Sequence, residues 1–310
     1  MLETEMMASA KKSTPIDTIK KYAPWYILVL VPLLGLLLFT VYPIIWAVGK
    51  AWFYYDGAKS TMKYVGFDNF INVFHDTVYW NSWLVTLKFA VIKLPVELPL
   101  AMWMAVLLNK GLKGNSIFRA IYYMPAILSM AVIGVTFSGM FDYFGLINGC
   151  LKNFGIATID WFANETTAFV VLALASIWNT VGINAMYFLA ALKSVPEEMY
   201  ECARLEGASK PTMFFKITLP MIGPVLSTVL LLSINGTLQV NDLILVTTNG
   251  APAGKTYSVM AYMLTKFVPG FATTSVNIGY GCATAIISSI CFIIIAIIYN
   301  KLSKKLSDIY

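Results

Sequence analysis

Six stretches of this chain, about 24–48, 84–108, 117–141, 167–192, 221–247 and 277–300, are almost continuously apolar. Each reaches the roughly 20 residues that a helix needs to cross a hydrocarbon core about 30 Å thick. In lipid every backbone N–H and C=O must find its partner inside the protein, so runs of this kind fold as helices. The fold class that follows is all-α: a polytopic transmembrane helical bundle with six spans. At 310 residues, 58% hydrophobic and 12% charged, the chain has no room for a large soluble domain. The second and fifth runs are interrupted by polar residues, which inside a membrane face protein or a water-filled cavity.

Orientation follows from Lys and Arg, which concentrate in cytoplasmic loops. Lys11, Lys12, Lys20, Lys21, Lys110, Lys113, Arg119, Lys193, Arg204, Lys210, Lys216, Lys301, Lys304 and Lys305 fall in one set of connecting segments. The alternate set holds Lys50, Lys59, Lys63, Lys152, Lys255 and Lys266, six against fourteen. Both termini and the 193–220 loop are therefore expected on the cytoplasmic side. The net charge of +6 is absorbed by this orientation, and no nucleic-acid partner is expected. The run from Trp25 to Trp46 follows basic residues as a signal peptide does, but it is long and lacks a small-x-small cleavage site. It reads as an uncleaved first span. The division is a tail over 1–23, a membrane domain over 24–300 and a second tail over 301–310. Cys150, Cys202, Cys282 and Cys291 are scattered and His75 is the single histidine, so neither a disulfide framework nor a metal site is indicated.

The loop at 193–220 is charged yet structured. Ser194 is placed to cap a helix whose first turn holds Pro196, Glu197 and Glu198. Gly207 is placed to end that helix in a left-handed cap. Lys210-Pro211 opens a second short helix that carries Phe214 and Phe215 back to the membrane. Within this knuckle stand Glu201-Cys202-Ala203, then Gly207, then Ile217-Thr218-Leu219-Pro220 after nine further residues. The register resembles the loop by which permeases of ABC importers engage their ATPases: Glu-Ala-Ala, three residues, Gly, nine residues, Ile-x-Leu-Pro. Cys202 stands where that pattern has its first Ala, a similarly small side chain.

Further segments carry the same resemblance. Val65-Gly66-Phe67-Asp68-Asn69-Phe70, Phe118-Arg119-Ala120-Ile121-Tyr122-Tyr123-Met124-Pro125, Thr248-Asn249-Gly250-Ala251-Pro252 and Gly279-Tyr280-Gly281 look like elements of carbohydrate-type permeases. Ala251 departs from the second Gly usual there. The match covers most of residues 25–300 and is similar to the di- and oligosaccharide branch, on the side of the maltose-type sugar-contacting permease. The resemblance implies a type I ABC importer permease fold, multi-pass in the plasma (inner) membrane of a prokaryote. It implies a second related permease, two ATP-binding cassette subunits and an extracellular solute-binding protein as partners, alongside membrane lipid. It implies no catalytic site and no cofactor on this chain, ATP and Mg²⁺ being used by the partner ATPase. Glu201, Cys202, Ala203, Gly207, Ile217, Leu219 and Pro220 are the implied ATPase-coupling residues.

The fourth and fifth runs carry the polar residues of a candidate path. Ser176, Thr180, Ile183 and Tyr187 are spaced three or four apart, on one helical face, and so are Ser233, Thr237 and Val240. Laid in register from the knuckle, the sugar-contacting positions of maltose-type permeases fall on Ser176, Thr180, Ile183, Ser233, Thr237 and Val240. Asn179, Tyr187 and Asn241 complete the expected substrate path, with Trp178 or Tyr187 offering a flat face to a pyranose ring. The competing use of such groups is helix-to-helix hydrogen bonding, worth about 1 kcal/mol each.

Lys88, Lys93 and Glu97 stand inside the second run. An ionisable group at mid-bilayer costs on the order of 3 kcal/mol unpaired. Lys93 and Glu97 are one turn apart and can pair, with Lys88 near the outer surface; the alternative is a cationic lining for an acidic sugar such as a uronate. Gly250 to Thr256 ends like a phosphate-binding loop, but Asn249 stands where that motif needs Gly and no strand precedes it. The segment Tyr257 to Phe267 is amphipathic and is expected to lie along the outer surface, where a binding protein can dock. Two functional readings remain: an ABC importer permease, for an oligosaccharide, an acidic sugar or another solute, and an ion-coupled carrier using Lys93, Glu97 and Asp242.

Overall fold

The computed structural model describes residues 15–111, 114–271 and 276–307. Lys11, Lys12 and Lys113, with the outermost parts of both expected tails, lie outside the described residues. Helix α1 (Pro15–Leu36) runs through a π-helical turn at Leu37–Val41 into α2 (Tyr42–Lys50). A second π turn, Phe214–Thr218, precedes a short helix that contains Pro220. In both places the proline just downstream lacks the N–H that would close an ordinary α turn, and the helix widens by one residue. After α2 comes a small antiparallel hairpin, β1 (Phe53–Tyr54) with β2 (Lys63–Tyr64), in which Phe53 faces Tyr64.

Then follow α3 (Asp68–His75), α4 (Thr77–Asn109), α5 (Asn115–Ile127), α6 (Met130–Met140) and α7 (Leu146–Asn153). Next are α8 (Glu165–Lys193), α9 (Glu197–Leu205), α10 (Lys210–Met213), α11 (Leu219–Met221) and α12 (Gly223–Leu238). The chain closes with α13 (Asp242–Thr247), α14 (Val259–Phe267) and α15 (Ile278–Ser307). Among the described residues four helical stretches are long and apolar enough to cross a membrane: Trp25–Lys50, Thr77–Asn109, Glu165–Lys193 and Ile278–Ser303. The number rises to six if each of two bent pairs counts as one span.

Those bends depart from the expected unbroken runs. The run at 117–141 is two helices, α5 and α6, meeting at 95°. Leu128 and Ser129 are extended, and the Ser129 hydroxyl restarts the helix by accepting from the Val132 amide. The run at 221–247 is likewise divided: α12 ends at Leu238 and α13 starts afresh at Asp242. The backbone leaves the helical region at Asn241 (φ −141°, ψ −59°) after the Val240 amide has closed a tighter turn onto the Thr237 carbonyl, and Gln239 Nε2 donates to Asn235 Oδ1 at 2.6 Å. At its other end α12 meets the Lys210–Met221 segment at 72°.

Two apolar clusters hold the body together. One unites the first half of α4 with the start of α8 and with α13, α14 and α15 around Tyr79, Phe89, Leu172, Leu243, Val259 and Cys282. The other joins the second half of α4 to the second half of α8 around Ala101, Leu108, Phe188, Leu189 and Ile222. Helix α14 belongs to the first cluster, with Val259, Ala261 and Tyr262 buried against α4 and α15. It is thus not the surface helix its amphipathic pattern suggested. Its polar positions are satisfied within the protein, as where Ser258 caps it through the Ala261 amide. The most apolar window of Trp25–Lys50, by contrast, buries none of its residues against the rest of the chain.

Asp76 locks one end of the bundle. Its Oδ1 accepts from the Val78 and Tyr79 amides, capping α4, and its Oδ2 accepts from the hydroxyls of Tyr262 and Tyr280. Burial pushes the Asp76 carboxyl up, but the tyrosine and amide hydrogen bonds together with the Lys266 charge outweigh it and hold it below the ordinary carboxylate range. Its stabilising effect is therefore complete above a pH of about 3.9 and is lost as pH falls through the lower folded value. Asp76→Ala is expected to cost about 1 kcal/mol in lost capping, plus about 1–3 kcal/mol for each tyrosine hydroxyl left buried without an acceptor. Thermal unfolding in detergent checks this, with Asp76→Asn expected to fall between the two.

Candidate functional site

Between the two apolar clusters lies a polar layer, and a cleft of about 340 Å³ opens from it. Helix α8 supplies Ser176, Thr180, Ile183 and Tyr187 to the wall, the face that its three-and-four spacing predicts. Helix α12 and the break after it supply Ser233, Val240 and Asn241. Seven of the nine expected path residues thus come together around one cavity.

The other two do local work. Asn179 is buried and its Nδ2 donates to the Pro125 carbonyl at 2.7 Å, fastening α8 to the end of α5. Thr237 is fully buried; its hydroxyl donates to the Ser233 carbonyl at 2.7 Å and accepts from Lys93 Nζ at 3.2 Å. Of the two candidate aromatic faces, Tyr187 lines the cleft, while Trp178 packs on Phe137 with ring centroids 5.8 Å apart.

The cleft is also lined by charge, at Lys93 and Glu97, for which the sequence left open a mutual pair or a cationic lining. Lys93, the midpoint of α4, lies 3.3 Å from Glu97 Oε2 one turn on, and both side chains are almost wholly buried. Glu97 Oε1 accepts from Asn184 Nδ2 at 2.7 Å, and the same Asn184 group lies 3.1 Å from Ser233 Oγ. One network thereby links α4, α8 and α12 at the level of the cavity. The signal was present: two ionisable residues inside an apolar run, in phase with each other. What the run alone does not contain is the partner, since Asn184 and Ser233 are distant in sequence. Lys88 is half-exposed and paired with Glu165 at 2.7 Å, a partner that its own run does not contain.

The 193–220 knuckle forms with one correction. Helix α9 begins after Pro196 without a side-chain cap; Ser194 instead turns its hydroxyl back to the Ala191 carbonyl at 2.7 Å, closing α8. The reason is local: α8 runs through to Lys193, and Ser194 already serves as its C-cap. The far end matches expectation. The Ala208 amide reaches the Ala203 carbonyl at 2.9 Å and the Gly207 amide reaches Arg204 at 3.0 Å, a paired closure that needs the positive φ of +77° at Gly207. Tyr200 and Thr218 hydroxyls meet at 2.8 Å and tie α9 to the returning segment. Glu201, Cys202 and Leu205 face outward, Leu205 at 90% exposure, whereas Ala203, Ile217, Leu219 and Pro220 are half-buried beneath. An exposed ridge therefore stands on a braced base.

Comparison with known proteins agrees with this architecture. A trehalose/maltose transport system permease protein of Thermococcus litoralis is 30% identical over 91% of this chain and 94% of its own length. An arabinooligosaccharides transport system permease protein of Bacillus subtilis is 31% identical over 92% of this chain and 89% of its own. A chain of a bacterial ABC transporter involved in the import of the acidic polysaccharide alginate shares the fold, with a TM-score of 0.81 at 20% identity over 94% of this chain and 98% of that one. Residues 97–308 match the family described as binding-protein-dependent transport system inner membrane component, and the chain belongs to that family of multi-pass membrane proteins.

Proposed function

We propose that this chain is the cargo-contacting permease of a binding-protein-dependent ABC importer for a di- or oligosaccharide. The observation that carries the reading is the cleft in which hydroxyl and amide groups of α8 and α12 converge beside Tyr187, inside a bundle otherwise built for lipid. Hydroxyls and amides both donate and accept, as sugar hydroxyls require, and an aromatic face suits a pyranose ring. The names of the two full-length relatives support the same cargo class. The chain supplies half of the pathway and a second, related permease the other half. Each bent helix pair counts as one span, giving six, with both termini and the 193–220 loop cytoplasmic and the 248–256 loop outside, in the plasma membrane of a prokaryote.

A solute-binding protein delivers cargo from outside, and two ATP-binding cassette subunits hydrolyse ATP with Mg²⁺ inside. Their closure presses on the ridge bearing Glu201, Cys202 and Leu205. The half-buried footing of Ala203, Ile217, Leu219 and Pro220, with Gly207 setting the angle, passes the push to α12 and α8. This chain holds no cofactor and catalyses no reaction. The buried Lys93–Glu97 pair is the observation that favours an ion-coupled carrier instead. Proteoliposomes decide between them: uptake of labelled saccharide should require the ATPase subunits and ATP, and uptake by the isolated chain under a proton or sodium gradient overturns the importer. Topology has its own check. With Cys150→Ser and Cys202→Ala removing the exposed native thiols, Glu206→Cys and Ala253→Cys should react with an impermeant maleimide from opposite sides of the membrane. Same-side labelling rejects the six-span arrangement.

A further inference from the structure

We infer that Lys93 and Glu97 form a hydroxyl clamp at the floor of the cleft, selecting an uncharged polyhydroxyl cargo over an anionic sugar. This rests on the importer reading above and deepens it. Both residues line the cavity although they are 3% and 0% exposed. The structural work of the layer is done by one atom of each: Glu97 Oε1 accepts from Asn184, and Lys93 donates to Thr237. What remains is unspent. Glu97 Oε2 is buried and takes part in no hydrogen bond, the 3.3 Å approach of Lys93 being attraction without hydrogen-bond geometry. An ammonium carries three donors, and the Thr237 contact uses one.

The Lys93 charge compensates Glu97 Oε2 but gives it no hydrogen bond, and neither helix packing nor the Asn184 bond supplies one to this buried acceptor. A cargo hydroxyl does, because it donates to Oε2 while accepting from Nζ, and the two atoms are close enough for one oxygen to bridge. The flexible Lys93 stem supplies the small rotation that uncovers the carboxylate. Charge decides the cargo class. The charged residues lining this cleft are Lys93, Glu97 and Asp242, one cation against two carboxylates. The charge of the ammonium is already matched by Glu97, although N–H donors remain for a neutral hydroxyl, and an incoming carboxylate meets a net negative wall in a low-dielectric setting, where like charges repel strongly. The cationic lining that Lys88 and Lys93 suggest in sequence is undone by their partners, Glu165 and Glu97.

The test titrates maltotriose and trigalacturonate against the complete permease–ATPase complex in nanodiscs, without the binding protein, by calorimetry. Wild type is expected to bind maltotriose at least about tenfold more tightly than trigalacturonate. The double variant Lys93→Met with Glu97→Gln, which removes both charges together, is expected to weaken maltotriose binding about tenfold and to narrow the discrimination. Binding is read on the folded, monodisperse fraction, where a purely structural pair would weaken both saccharides alike and leave the discrimination between them unchanged. Glu97→Gln alone keeps an acceptor for Asn184 and serves if the double variant does not fold; the same loss is expected. Preference of the wild type for trigalacturonate, or wild-type binding by the folded variants, overturns the clamp and leaves the importer standing. Binding of neither saccharide also overturns it, and ATP-driven uptake measured separately shows whether the sugar reading falls too.

Discussion

Gly207→Val is expected to cut ATP-driven uptake by tenfold or more, on the order of 1–2 kcal/mol of coupling or greater, while ATP hydrolysis and membrane insertion persist. The argument is confined to backbone. Gly207 sits at φ +77°, where a β-branched residue is strained, yet an added Cβ would meet nothing within 4 Å. Steric crowding is therefore not the mechanism, and a substitution that tolerates the left-handed region should restore function. Gly207→Asn is expected to retain most uptake, and Gly207→Ala to fall between Asn and Val. Paired measurement of uptake and ATPase turnover in proteoliposomes checks the series. If Val, Ala and Asn all transport normally, the closure at Ala203 and Arg204 does not hold the ridge in its working angle.

Gly182→Ala is expected to prevent accumulation of the folded chain. Here the argument is space alone. A Cβ at Gly182 would lie 1.8 Å from the Tyr122 carbonyl oxygen and 2.7 Å from its carbon, both backbone atoms that no rotamer change can move. Helices α5 and α8 must separate, and the separation also stretches the bond from Asn179 to Pro125. Overpacking of this kind costs about 1–3 kcal/mol and more where backbone is the obstacle. Gly236→Ala is the matched control. It lies on α12 beside the cleft with nothing within 4 Å, and replacing Gly by Ala inside a helix gains about 0.8 kcal/mol. Detergent-solubilised yield and unfolding temperature should therefore fall sharply for the first and hold or rise for the second.

The spans were legible because apolar length is a nearly sufficient signal in lipid, and α4, α8 and α15 coincide with their runs to within a few residues except where α4 and α15 extend beyond them. The breaks were not. Leu128 and Ser129 barely interrupt the apolar run, and only their extended backbone shows that the chain turns there. The cleft was readable from Ser176, Thr180 and Tyr187 because a helical face is a property of one segment. Asn179 shows the limit: spacing places it close to that face, and only the neighbouring helix reveals a carbonyl waiting for its amide. Helix α14 failed for a related reason. Its polar stripe suggested water, but Tyr262 spends its hydroxyl on Asp76, a residue far away in sequence. Apart from the cap expected at Ser194, the knuckle was the most readable part, since its glycine and its short helices are all encoded within 28 residues of one another, 193–220 inclusive.

The placement of the polar layer has a mechanical consequence. Close-packed apolar clusters behave as stiff blocks, whereas hydrogen bonds such as those among Asn184, Ser233, Thr237 and Glu97 can exchange partners with little change in volume. Helices α4 and α8 thread both blocks, so a torque applied at either extremity finds its softest section in between. Compliance is concentrated at the depth where a solute would sit, and deformation of the molecule and reshaping of its cavity become one and the same movement.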